Sequence, residues 1–189
     1  MNMARVRLLQ NEEAPPKSKD LFEKIERNGA TVLNLYRAVA HSPSTISSFV
    51  KLGNVLLNRA ELSPKLRELA ILRIAFLLGS EYEMIQHLPI ALEAGVSQKQ
   101  VECIHRWEES NVFNEEDQAV LQYTDEVTLN TKSKNQTFKT LGKYLNERSI
   151  VELTLSIGYW GMVARVLVPL EIEVEDRSIV STKELLGKS

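Results

Sequence analysis

SPKLRELAILRIAFLLG, residues 63–79, followed by SEYEMIQHLPIALEAG, residues 80–95, decides how the chain is read. Ser63-Pro64 is a helix opening, since proline at the first turn gives up an N–H that has no partner there anyway. Leu66, Leu69, Ala70, Leu72, Ile74, Phe76 and Leu77 then form a wide apolar face at helical spacing. Gly79 suits the left-handed residue that ends such a helix. A second helix is expected from Ser80 to about Ala94, where Gly95 stops it. Pro89 lies inside that span and predicts a kink or a split near Leu88.

Outward from this pair the helical reading continues. Helices are expected over 18–27, 32–40, from Ser42-Pro43 onward, from Ser97 through Trp107, from Asn114, over 135–145 and over 147–167. The third of the chain's helices is expected to bury Ile46, Phe49, Val50, Leu52, Val55 and Leu56. Asn114 with Glu115, Glu116 and Asp117 places acids at the positive end of a helix dipole. Residues 1–17, polar and carrying Pro15-Pro16, read as a loose arm, and 171–189 as mostly irregular. The fold class is therefore all-α, one domain over 18–189. A weak echo between Leu66–Leu72 and Ile150–Ser156 raises the idea of two related helical halves.

Composition narrows the function. The 189 residues carry 43% apolar and 25% charged side chains and a net charge of -2, so no basic surface for nucleic acid is expected. No uninterrupted apolar run has the length of a membrane span, and the first residues lack a leader's apolar core. A cytoplasmic protein is the expectation. Cys103 stands alone, so an intrachain disulfide is excluded. Neither a phosphate-binding glycine loop nor a Gly-x-Ser-x-Gly elbow is present, and no cofactor is expected.

The chemistry-bearing residues cluster at the junction of the two central helices. Ser80 and Glu83 have the spacing of a capping box, and that is the first reading of both. Glu83 and His87 share a helical face, as an acid–base pair would, or as an ordinary exposed pair. A zinc site would need further His or Cys ligands at matching spacing, and these are missing. Glu68, set among Leu69, Ile71 and Leu72 with Arg67 and Arg73 nearby, is either a surface carboxylate or a proton carrier on an apolar face. His41 reads as a helix-end cation, and Cys103 as a small hydrophobe.

Arg67-Glu68-Leu69, then His87, then Ala91-Leu92-Glu93-Ala94-Gly95-Val96-Ser97 resembles the carboxymuconolactone decarboxylase and AhpD-like family. Residues 156–176, SIGYWGMVARVLVPLEIEVED, resemble the C-terminal helix of its peroxidase-related branch. The likeness runs over about residues 30–176. The AhpD branch uses Glu-x11-Cys-x-x-Cys-x-x-x-His; here Glu68 and His87 match its proton-handling residues, while Ser80 and Glu83 stand at the two cysteines, with Tyr82 between them. A disulfide cycle is chemically excluded without those sulfurs. The decarboxylase branch needs no such pair. The resemblance implies cofactor-free acid–base chemistry on a small carboxylated or lactone molecule. His87 would shuttle the proton, Glu68 support it, Glu83 act as a second acid, Tyr82 donate a hydrogen bond and Arg73 hold a substrate carboxylate. It also implies a homo-oligomer, a trimer or hexamer. The rival expectations are a non-enzymatic binding module and a peroxidase-related protein by fold alone.

Overall fold

The computed structural model describes residues 4–175, and among them every regular element is helical. In chain order these are α1 (Pro16–Arg27), α2 (Asn34–Val39), α3 (Ile46–Asn58), α4 (Pro64–Leu77), α5 (Glu81–Glu93), α6 (Gln98–Cys103), a 3-10 segment (Ile104–Glu109), α7 (Glu115–Asn130), α8 (Asn135–Leu141) and α9 (Glu147–Leu167).

The central element is α4. Every residue from Leu66 to Ala75 is buried, because α5, α7 and α9 pack around it. A helix surrounded in this way needs apolar residues on every side, which Leu69, Ala70, Ile71, Leu72 and Ile74 supply. Arg67, Glu68 and Arg73 are buried as well, and they are paired. Arg73 forks onto Asp125 of α7, Nε to Oδ1 at 2.6 Å and Nη2 to Oδ2 at 2.7 Å. Its Nη1 donates to the Ile104 carbonyl at 2.8 Å, and Trp107 Nε1 donates to Asp125 Oδ2 at 3.1 Å. This clamp joins α4, the 3-10 segment and α7. It also corrects the expectation that Arg73 receives a substrate carboxylate, since its guanidinium is already committed to a structural one.

Local signals set most helix boundaries. Ser97 and Gln100 form a capping box at α6, and Asn114 and Asp117 form one at α7. Asp117 also takes Lys65 at 2.8 Å and Gln100 Nε2 at 2.9 Å, so the cap is tied to the start of α4. Gly79 has φ +66° and Gly95 φ +95°, the left-handed values that closing α4 and α5 requires.

Four expectations need correction. Pro89 does not split α5, which runs on to Glu93; it lies on the exposed side, where a lost hydrogen bond costs least. In α3, Leu52 and Val55 are exposed and Gly53 is buried in their place. Phe76 of α4 also points outward, with Arg73 stacked 5.4 Å from its ring centre. Residues 4–15 are held rather than loose: Leu9 and Ala14 join Phe22, Val32, Ala40 and Ile46 in a second small core, and Arg5 N donates to the Leu170 carbonyl at 2.9 Å. Pro16 opens α1, two residues before the expected start at Ser18, instead of belonging to the loose arm.

Helix α9 has the length and mean hydropathy, 21 residues and 1.3, of a membrane span, yet 56% of its apolar window is buried inside the fold. Its inner face brings Tyr159 and Trp160 toward α3 and α5. Gly53 of α3 makes room for this: a Cβ there would lie 2.4 Å from Tyr159 Oη, which donates to the Phe49 carbonyl at 3.0 Å. Gly53→Ala is expected to cost about 1–3 kcal/mol through this overpacking. Urea unfolding measures it, and a loss below about 0.5 kcal/mol would show that Tyr159 has room to move.

Candidate active site

The site is built where α4, α5 and α9 meet. Glu68 of α4 is fully buried. Arg67 Nε donates to its Oε1 at 3.1 Å, and His87 Nδ1 lies 2.8 Å from its Oε2. On the other side of the imidazole, Trp160 Nε1 donates to His87 Nε2 at 2.9 Å. An indole nitrogen is a donor only, so His87 Nε2 must accept and Nδ1 must carry the proton toward Glu68. The chain Arg67–Glu68–His87–Trp160 thereby fixes the imidazole tautomer and orientation. The two rings meet edge to face, 5.5 Å between centres at 88°.

Glu83 occupies a different environment. It is only 2% exposed, and neither carboxyl oxygen has a hydrogen-bond partner. Burial pushes its carboxyl up to about 8, against a small lowering by the nearby Ser80 hydroxyl. That hydroxyl is close enough to be felt electrostatically, but Ser80 Oγ is itself buried and makes no hydrogen bond. The expected capping box at α5 is therefore absent. Ser80 and Glu83, whose spacing is fully explained by a cap, do not form one.

Glu83, His87, Tyr82, Gln86, Tyr159 and Trp160 line one cavity of about 190 Å³, closed further by Leu33, Tyr36 and Gly53. Glu68 does not line it and touches its wall at His87. Tyr82 donates to Glu175 Oε1 at 2.5 Å, and Gln86 Nε2 donates to Glu175 Oε2 at 2.7 Å. Burial first, and then Glu175, raise the Tyr82 phenol, so it remains a protonated donor; burial likewise raises Tyr159 and Tyr36. A larger groove of about 650 Å³ lies between α1 and α3, but none of the acid–base residues borders it. Among the described residues no set of three metal-ligating side chains comes together.

Of the residues singled out in the sequence, Glu68, His87, Glu83, Ser80 and Tyr82 thus meet at one junction, and Arg73 does not. Trp160, Tyr159, Gly53 and Glu175 were not identified. The available signal was the aromatic pair Tyr159-Trp160 set between Gly158 and Gly161 on a core helix. Glu175 carried none, since it lies in an irregular acidic stretch.

Glu83 makes stability depend on pH. Between the ordinary carboxyl value of 4.5 and about 8, the folded chain keeps a proton there that the unfolded chain has released. Stability is therefore full below that window and declines as pH rises through it. Glu83→Gln has no proton to lose and is expected to gain on the wild type, by on the order of 1–4 kcal/mol across the window. Unfolding free energies of both chains against pH test this, and a constant difference would mean that Glu83 ionises normally.

The carboxymuconolactone decarboxylase family model matches residues 43–126, from the approach to α3 into α7. The YdfG protein of Bacillus subtilis (strain 168) is 24% identical over 93 residues. That match takes in 48% of this chain, which spans about 63% of the relative's length. Among solved structures, the peroxidase-related protein of Ralstonia eutropha JMP134, with an alkylhydroperoxidase AhpD core, superposes with a TM-score of 0.80 at 13% identity, covering 98% of this chain and 96% of that one. The debrominase Bmp8, in complex with 2,3,4-tribromopyrrole, gives 0.78 at 18% identity, covering 97% and 100%. At such identities these structures speak for the fold. The chain is thus similar to the carboxymuconolactone decarboxylase family over residues 43–126 and shares the fold of the AhpD-like structures, with one cysteine and hence no Cys-x-x-Cys pair.

Proposed function

We propose that the protein is a cofactor-free acid–base enzyme of the decarboxylase-like kind, acting on a small carboxylated or lactone substrate in the cavity beside Glu83. The observation that carries this reading is a buried carboxyl with both oxygens unpartnered on the wall of a cavity. An unsatisfied buried polar group costs stability, and a protonated acid facing a substrate accounts for retaining it.

Glu83 is the proton donor. In a decarboxylation, the bond between the departing carboxylate and its carbon breaks, and the electron pair passes into a conjugated carbonyl. Glu83 then gives its proton to carbon as carbon dioxide leaves, and the carboxylate left behind regains a proton from water. A buried anion with no partner is costly, which favours that return. His87 takes a role beside the acid. Both ring nitrogens are engaged, by Glu68 and Trp160, so the imidazole serves as a fixed polar wall and relays charge to Glu68 only if the indole moves. Tyr82 donates at the cavity rim, and Ser80 sits beneath Glu83.

The rival readings find less support. A binding module with a merely structural helix start predicts Glu68 turned to solvent, and Glu68 is fully buried. A peroxidase-like cycle needs two sulfurs where Ser80 and Glu83 stand.

A panel of carboxylated lactones and conjugated carboxylic acids, followed by carbon dioxide release, tests the proposal. Glu83→Gln is expected to lower turnover of any accepted substrate by about 10²-fold or more. The wild-type rate is expected to fall as pH rises through about 8, as the acid form is lost. Turnover that survives Glu83→Gln undiminished rejects the assignment.

The family also suggests a homo-oligomer, a trimer or hexamer. Val151, Leu155 and Met162 leave an exposed apolar face on α9 that suits a subunit contact. Leu155→Glu is expected to lower the sedimenting mass, and an unchanged mass places the contact elsewhere.

A further inference from the structure

One feature of the cavity rim is left unused by acid–base chemistry at Glu83. The Glu175 carboxylate is received by three donors: the Asn34 backbone N–H and the Tyr82 hydroxyl on Oε1, and the Gln86 amide on Oε2. Both carboxylate oxygens are taken, by groups from α5 and from the start of α2. None of the donors carries a charge, so the set matches a monoanionic carboxylate better than a dianion.

The receptor continues into the proposed reaction site. Tyr82 and Gln86 line the cavity together with Glu83 and His87. On α5, Tyr82 and Gln86 are one turn apart, as are Glu83 and His87, so the two pairs form adjacent rows on one helix face. A carboxylate seated on the first row directs the rest of its molecule over the second. Tyr36, another lining residue, also feels the charge of Glu175, which with burial raises its phenol.

The segment that brings Glu175 here is anchored independently. Ile172 is buried, Asn34 Nδ2 donates to the Glu173 carbonyl at 3.0 Å, and Arg5 N donates to the Leu170 carbonyl. The Glu175 side chain can leave its donors without releasing the strap behind it.

We infer that Asn34 N–H, Tyr82 and Gln86 form a carboxylate receptor for the substrate, and that Glu175 fills it as an internal competitor which an incoming carboxylate displaces. This rests on the cavity being the substrate site, and it adds how a ligand is oriented and how entry is gated. An attached competitor lowers apparent affinity by the fraction of time it holds the site.

The test is binding to the full chain, read by calorimetry and by intrinsic tryptophan fluorescence, to which Trp160 in the cavity wall and the distant Trp107 both contribute. The probes are benzoate and acetate, with benzamide and acetamide as their neutral counterparts. Glu175→Ala is expected to tighten carboxylate binding about ten-fold and to change amide binding by less than about two-fold. Glu175→Gln is expected to give most of the same gain. Gln86→Ala in the Glu175→Ala chain is expected to cancel it. Equal gains for carboxylate and amide would make Glu175 a steric plug and overturn the receptor. Unchanged carboxylate affinity, or no binding of either carboxylate by wild type or Glu175→Ala, overturns it too. Comparing wild type with Glu175→Ala needs no change to the cavity wall, so a misfolded Gln86 variant cannot rescue the idea. Because the readout is binding, its failure leaves the Glu83 assignment standing, and loss of that assignment leaves this result intact.

Discussion

The site depends on one constraint: a fully buried carboxylate, Glu68, must be matched where it lies. Taking a carboxylate out of water is expensive unless charge and hydrogen bonds meet it. Arg67 meets one oxygen from the same helix, and His87 meets the other from α5. His87 then needs a donor for its remaining nitrogen, and Trp160 of α9 provides it. One buried charge thus specifies how three helices sit against each other. Replacing Glu68 alone would strand the Arg67 guanidinium in the interior, a heavier penalty than loss of a surface pair. The requirement also explains why charged residues persist in a helix that is buried all round.

Glu83 sets the contrast that gives this arrangement chemical meaning. It and Glu68 stand on consecutive helices and are equally hidden from water, but their surroundings differ. Glu68 has a cation and an imidazole, whereas Glu83 has a cavity and no partner. Two carboxyls whose environments treat their protons so differently are the pattern of an acid beside a fixed charge. In the AhpD branch that the sequence resembles, cysteines stand where this chain has Ser80 and Glu83. A dithiol there handles electrons, and on the proposed reading the buried carboxyl in its place handles a proton. The frame of Glu68 and His87 serves either, because its task is to hold charge and orientation in a low-dielectric pocket.

Much of this was legible in the sequence, for physical reasons that differ by element. The α4 boundaries could be read because Pro64 and Gly79 act locally. The capping boxes at Ser97 and Asn114 are local in the same sense. The outward turn of Leu52, Val55 and Phe76 was not legible. Periodicity identifies an apolar face, and only tertiary packing decides how wide a strip of it is covered. The burial of Glu68 could not be read from spacing alone either, since Arg67 and Arg73 beside it fit a surface pair equally well. Trp160 was hidden for a related reason: its donor role depends on a residue 73 positions away. Glu175 is farther still from its partners, with 141 positions separating it from Asn34.

The start of α5 shows how the physics of stability and of function compete for the same residues. Ser-x-x-Glu offers a reciprocal cap, and an N-cap of this type contributes about 1 kcal/mol. Among the described residues two other helices take up such a reciprocal cap, and α5 does not. Ser80 and Glu83 instead lie buried with their oxygens unpartnered, a second cost on top of the forgone cap. A helix start built for stability would turn both side chains outward onto the backbone amides. Turning them inward is destabilising twice over, and places a protonated acid on the wall of a cavity that His87 and Trp160 border, with a hydroxyl close behind it. Local rules fail here while succeeding at neighbouring helices, and such a failure is expected where a side chain is held for chemistry rather than for the fold.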